Sequence, residues 1–320
     1  MPLTNDQYNR IMQEYAATRD AHHALLADRR KKLYLKLPEY KALEEKLSSC
    51  ALSALRGGDV SSFRAFQEDI SAQKADLLLR NGYPADYLEP QYDCPYCRDT
   101  GYTDGEKCRC FRNREIDLLY DQSHLKKLTH FNRFDLVSES YYQGTDLERF
   151  QKALASCHRL VDNIEEGSDN IYLYGPAGTG KSFLSVCCAD ELLKKGYSVL
   201  YFSAVDLFEN LSYFGNELSK REAVKELLSD LATADLFILD DLGTELTNAF
   251  TSMRLFTVLN DRILASKSTI ISTNLELGEM RERYSDRIFS RICGAFHMHK
   301  LTGPDIRMEQ TRLHKTGGKN

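Results

Sequence analysis

An α/β fold on a parallel sheet is what the second part of this sequence predicts, with a helical region and a compact cysteine segment ahead of it. Three observations carry that expectation. From about Leu147 onward, short apolar runs alternate with amphipathic stretches of helix length, the pattern of strands joined by crossover helices. One such run, "NIYLYG", leads directly into a glycine-rich loop, "GPAGTGKS". Another, "LFILDDLG", ends in paired acids at the carboxyl end of its strand, the edge where such sheets place their chemistry.

Taken in order, residues 1–90 are rich in Leu, Ala, Lys, Arg, Glu and Asp with helical apolar spacing. "DQYNRIMQEYAATRDAHHALLADRRKKLYLKL", "PEYKALEEKLSSCALSAL" and "SSFRAFQEDISAQKADLLLRNG" read as three helices, the last stopped by Gly82. No catalytic spacing occurs here; a small helical domain that docks on a partner is the working expectation, and a merely structural bundle is the alternative. Residues 91–128 hold the cysteines and a helix reaching about Leu128, and "HFNRFDL" reads as an extended lead-in to residues 129–320. There the predicted elements are a helix over 147–163, "NIYLYG", the loop, the helix "KSFLSVCCADELLKKG" and the strand "SVLYFSA". A helical region, "DLFILDDL", a helix over 249–265, "STIISTN" and a last strand "FHMHKL" complete the set.

Bulk properties narrow the function. Hydrophobic residues make up 42% and charged residues 28% of 320, enough to bury a proper core. A net charge of −5 excludes a surface that attracts nucleic acid everywhere, so any DNA contact must come from a local patch or from several copies acting together. No apolar run approaches the ~20 residues of a membrane span, and the polar start "MPLTNDQYNRIMQEYAATRD" lacks an apolar signal core. Nine cysteines, with Cys50, Cys157, Cys187, Cys188 and Cys293 scattered through helix-like or strand-like contexts, fit reduced thiols. A cytoplasmic protein without a membrane is expected.

"GPAGTGKS" satisfies G-x-x-x-x-G-K-[ST] between a strand and a helix, so loop amides and the helix N-terminus face a polyphosphate. The expected ATP contacts are Gly175, Pro176, Ala177, Gly178, Thr179, Gly180, Lys181 and Ser182. Lys181 reaches the β- and γ-phosphates, and Ser182 joins Asp240 on Mg2+. Asp241 suits polarisation of the attacking water, with Glu245 as the alternative. Asn274, closing "TIISTN", holds that water or senses the γ-phosphate. In "SDRIFSRICG", Arg287 and Arg291 lie one helical turn apart, candidates for an arginine that neutralises γ-phosphate charge from a neighbouring subunit.

"CPYCRDTGYTDGEKCRC" offers four thiols, Cys94, Cys97, Cys108 and Cys110. A C-x-x-C knuckle supplies two zinc ligands, and Gly101 and Gly105 let the chain turn back so that the C-x-C pair completes the set. A redox dithiol, an iron–sulfur cluster and four unrelated thiols are the alternatives. No thioredoxin-like unit surrounds the motif, and structural Zn2+ is the expectation. A site closed by four thiolates leaves no open position for catalytic water.

The ordered motifs "GPAGTGKS", "LFILDDLGTE", "IISTN" and "SDRIFSRICG" resemble the DnaC/DnaI-type helicase loaders and the related IstB-like transposition ATPases, both of the AAA+ class, over about residues 130–307. The resemblance implies a five-stranded parallel sheet with the P-loop strand central. It implies Asn274 as the sensor and Arg291, rather than Arg287, as the arginine finger. Arg307, in "TGPDIR", resembles a nucleotide-sensing position near the end of that branch. The short tail after Gly294 is not expected to form a full lid, and Asp-Asp stands where AAA+ proteins usually end in Glu. Loaders of this kind carry a helical N-terminal domain that grips a hexameric replicative helicase, often followed by a cysteine cluster. The resemblance therefore implies helicase loading onto single-stranded DNA, with self-association through the ATPase domain. Transposition help on duplex DNA is the alternative, and a P-loop small-molecule kinase a third reading. Tyr213, Phe214, Lys220 and Arg221 are the candidates for single-strand contact.

Overall fold

The computed structural model describes residues 3, 5–55, 60–120, 123–167, 169–213 and 218–309. These fall into two compact units, one formed by Asn9–Glu106 and the other by Met1–Tyr8 with Lys107–Asn320.

The first unit is mainly α1 (Asn5–Lys36), α2 (Pro38–Leu55) and α3 (Val60–Arg80). Leu33, Tyr40 and Leu78 are its buried centre, with Tyr34, Leu37, Tyr83 and Leu88 packed around them. Gly82, at φ +78°, ends α3: the Tyr83 N–H turns back to Leu78 O at 3.0 Å, the left-handed stop that glycine permits. Beyond α3 come two short strands, β1 (Tyr102–Thr103) and β2 (Glu106–Lys107), which pair as a ribbon. Asp104 and Gly105 between them both have positive φ, 53° and 84°, as a tight Asp-Gly hairpin turn requires.

In the second unit, α4 (Arg109–Tyr120) and α5 (Ser123–Thr129) follow Lys107. "HFNRFDL" is not extended. Phe134–Leu136 form a 3-10 turn, because the Leu136 and Val137 N–H groups close onto Arg133 O and Phe134 O at 3.0 and 3.2 Å.

Then follow α6 (Gly144–Asp162), β3 (Ile171–Tyr174), α7 (Lys181–Lys194), β4 (Val199–Ser203), α8 (Ala204–Tyr213) and α9 (Leu218–Thr233). The unit continues with β5 (Leu236–Leu242), α10 (Ala249–Leu264), β6 (Ser268–Thr273), α11 (Leu277–Tyr284), α12 (Asp286–Ala295) and β7 (His297–Lys300).

The five strands β3–β7 form one parallel sheet in the order β4-β5-β6-β3-β7. The P-loop strand β3 is therefore interior but not in the middle, which corrects the expectation. The chain leaves β3 for the far edge at β4 and returns strand by strand, so β6 fills the middle and β7 covers β3 on its outer side. Strand residues alternate between two buried layers. Tyr172, Phe237, Leu239 and Ile271 face one, and Ile171, Leu173, Ile238 and Ile270 the other. A sheet buried on both faces reads as continuous apolar runs, which is why its strands were legible. No described helix is long and apolar enough to cross a membrane.

Candidate nucleotide site and thiol centre

The loop between β3 and α7 is held in shape by its own lysine. Lys181 Nζ donates to Gly175 O at 2.8 Å and Pro176 O at 2.6 Å, and Thr179 Oγ1 donates to Pro176 O at 2.9 Å. Burial lowers the Lys181 pKa, opposed by the charges of Asp241 and Asp240. Gly178 and Gly180 adopt φ of +77° and +87°. A Cβ on Gly178 would lie 2.2 Å from the Asp305 carboxylate, and one on Gly180 2.7 Å from the Tyr142 hydroxyl. Glycine is needed there for close approach as much as for φ.

The acid pair closes β5. Ser182 Oγ donates to Asp240 Oδ1 at 2.9 Å, and Tyr201 OH donates to Oδ2 at 2.7 Å. The Ser272 hydroxyl also donates to Asp240 Oδ1 and accepts the Asp241 N–H at 2.9 Å, so it bridges the two acids. Asp241 stands at φ +54°, a left-handed backbone that non-glycine residues seldom adopt. Its carboxylate is reached by Asn274 Nδ2 at 3.5 Å. Burial raises the Asp241 pKa, and the Asp240 charge adds to this, while Lys181 and Arg307 oppose it.

A cavity of about 550 Å³ opens onto these groups. Ala177, Gly178, Gly180, Lys181, Ser182, Asp241, Asn274 and Arg307 line it. Gly175, Pro176, Thr179 and Asp240 stand behind that lining and hold it. Arg307 arrives because the segment after β7 lies along the loop: the Leu301 N–H binds Tyr174 O at 2.8 Å and the Ile306 N–H binds Gly178 O at 3.0 Å. The far wall went unread in the sequence. Phe131, Asn132, Leu136, Tyr141 and Tyr142 form it, and Tyr142 stacks on Phe150 with centroids 4.1 Å apart while its hydroxyl reaches Thr179 O at 3.1 Å. The aromatic run ahead of the first sheet strand was the available signal. Ser182 and Asp240 are hard oxygen donors already side by side, a set that fits Mg2+.

Three other candidates lie elsewhere. Arg287 and Arg291 are both exposed on α12 outside this lining, with the Arg291 guanidinium 6.0 Å from the Phe256 ring. Glu245 is buried outside the cavity and bonded within its own loop. Phe214 and the side chains of Tyr213 and Lys220 lie outside the described residues; Arg221 is exposed.

Cys94, Cys97, Cys108 and Cys110 bring their four Sγ atoms within 4.8 Å of one another. Tetrahedral Zn2+ with ~2.3 Å bonds places its sulfurs about 3.8 Å apart, so the thiols fit that ion. Arg98, Asp99 and Gly101 take φ of 51°, 59° and 82°, which wraps the knuckle. The Gly101 N–H points at Cys97 Sγ, 3.3 Å away. Asp99, 1% exposed, accepts the Cys94 N–H at 2.8 Å and the Asp93 N–H at 3.1 Å.

Residues 108–314 match the family described as IstB-like ATP binding protein. The chain is 25% identical over 264 residues to the replicative helicase loader DnaI of Bacillus subtilis (strain 168), covering 76% of this chain and 83% of that one. It is 25% identical over 187 residues to the replicative helicase loader DnaC of Escherichia coli (strain K12), covering 56% and 74%. To the putative insertion sequence ATP-binding protein y4pL of Sinorhizobium fredii (strain NBRC 101917 / NGR234) it is 31% identical over 210 residues, covering 62% and 81%.

Proposed function

Because this chain belongs to the IstB-like ATP-binding proteins, we propose that it is an AAA+ ATPase that loads a hexameric replicative DNA helicase onto single-stranded DNA in the cytoplasm. One observation carries the loader reading. The likeness to DnaI takes in 76% of this chain, more than residues 108–314 and the tail after them can supply. It therefore extends into the region of the helices and cysteines. The likeness to the insertion-sequence protein takes in 62%, no more than residues 108–314 can hold.

Residues 1–90 would grip the helicase, residues 91–128 would form the zinc-braced link, and residues 129–320 would hold ATP and self-associate. Lys181 and the loop amides would bind the phosphates, with Arg307 beside them. Ser182 and Asp240 would hold Mg2+, which neutralises phosphate charge. Asp241, steadied by Ser272 and Asn274, would polarise the attacking water, and Arg291 of one subunit would reach the site of the next. Cys94, Cys97, Cys108 and Cys110 would hold structural Zn2+. Hydrolysis would release the loader from the helicase.

The test is reconstitution. The full chain should copurify with its host's replicative helicase and transfer it to circular single-stranded DNA only with ATP. Absence of both, together with ATP-dependent coating of duplex DNA, would replace the loader by the second reading, a transposition helper. The likeness to the insertion-sequence protein is what favours that alternative.

A further inference from the structure

Glu245 has no place in the cavity, yet the residue is only 4% exposed and both carboxylate oxygens accept hydrogen bonds. It accepts the Gly243 N–H at 2.8 Å, the Thr247 hydroxyl at 3.3 Å and the hydroxyl of Tyr284, which is itself completely buried. The preceding residue of α11, Arg283, grips the same loop, donating from Nη2 to Glu245 O at 3.0 Å and from Nε to Thr247 Oγ1 at 2.7 Å. A buried carboxylate is costly unless its oxygens are satisfied, so this bonding locks the loop to the end of α11.

What the loop joins gives the lock a purpose. Its start is tied back to Asp241 in β5, whose carbonyl accepts the Thr244 N–H at 3.2 Å and the Thr244 hydroxyl at 2.8 Å. Its middle packs on the residue after Asn274: a Cβ on Gly243 would lie 2.7 Å from Leu275. Its end, Asn248, caps α10 through the Phe250 and Thr251 N–H groups at 2.9 and 3.0 Å. Helix α10 carries Phe256, against which Arg291 rests. On the other side, α11 passes through Ser285, at φ +83°, straight into α12, the helix of Arg287 and Arg291. Two routes from the acid pair to Arg291 therefore run through the 243–248 loop, beside the chain path from Asn274 into α11.

We propose that Glu245 and Tyr284 are positioning residues: their buried hydrogen bond ties the loop behind a subunit's own acid pair to the end of α11, from which the chain passes directly into α12, the helix that presents its Arg291 to the next subunit. The state of one site thereby sets the arginine delivered to its neighbour. This rests on the reading of Arg291 as an arginine acting in trans, given above.

Mixed assemblies test it. Asp241→Asn chains keep Arg291 but lack their own turnover, whereas Arg291→Ala chains keep a working site but offer no arginine. Mixing the two should restore ATPase. Placing Tyr284→Phe in the Asp241→Asn chain should cut that rescue about tenfold, the worth of one hydrogen bond to a charged group. The same change in the Arg291→Ala chain should leave rescue near its full value. Glu245→Gln, which keeps the shape, should repeat the asymmetry. ATP-analogue affinity, measured on each variant, should stay close to the parent's, while melting temperature should fall by only a few degrees. Equal rescue from both placements, or equal loss from both, overturns the coupling. No rescue in the simple mixture removes the trans-arginine reading itself, and the coupling with it.

Discussion

Around Asp240 the donors are oxygens, and three hydroxyls, from Ser182, Tyr201 and Ser272, already converge on one carboxylate. Around Cys97 they are four thiols within 4.8 Å of one another, wrapped by residues in left-handed backbone. The oxygen set sits behind a cavity of about 550 Å³, where a polyphosphate can enter and leave. The thiol set is buried at three of its four members and offers soft ligands that release an ion reluctantly. The chemistry of the first set suits exchange and that of the second suits retention. Each reads its ligand through donor hardness and access.

Removing Lys181 should break the comparison on the oxygen side most severely. Lys181→Ala should lower ATP turnover by about 10²–10³-fold, the scale of losing a donor aimed at developing charge, in a steady-state phosphate-release assay. Zinc content and helix signal should be untouched; loss of zinc as well would show that the regions are not independent.

The reciprocal change comes next. Cys94→Ser with Cys97→Ser should abolish bound zinc by metal analysis and weaken helicase capture by about tenfold or more, as loss of a structural metal removes folding free energy. ATP affinity should move by less than about twofold, the change expected beyond additive reach.

A finer contrast lies within the oxygen set. Ser272→Ala removes the hydroxyl that bridges Asp240 and Asp241 and should raise the Mg2+ concentration for half-maximal turnover by about tenfold, as outer-shell partners of a metal ligand do. An unchanged Mg2+ dependence would mean that Asp240 needs no such orientation.

The smallest effect concerns stability. The pKa of Asp241 is raised by burial beside Asp240, so its charged form is disfavoured in the folded chain. Its contribution is favourable below the ordinary carboxylate range and lost as pH rises through the raised value. Asp241→Asn should therefore melt about 2 °C higher at pH 7, and that gain should vanish in acid. A thermal shift series across pH checks the sign.

How much of this was legible depended on whether the cause was local. The loop, the acid pair, Asn274 and the four cysteines announce themselves because their chemistry needs fixed residue types at fixed spacings. The helix expected over 249–265 runs Ala249–Leu264 as periodicity predicted, and the one expected over 147–163 starts a little earlier, at Gly144, and ends at Asp162. The lead-in at Phe134–Leu136 did not, because the apolar run gave no hint that it would close into a 3-10 turn.

Residue order alone thus determined the α/β class, the nucleotide loop and the thiol centre, since each is written in contiguous chain. Tertiary structure decided that β6, not β3, takes the middle of the sheet. It also decided that Ser272 and Tyr201 orient Asp240, that Phe131 and Tyr141 wall the cavity, and that Glu245 turns away from chemistry toward Tyr284. Those outcomes depend on which strands become neighbours and on where a buried carboxylate finds donors, and contacts across that distance leave no spacing to read.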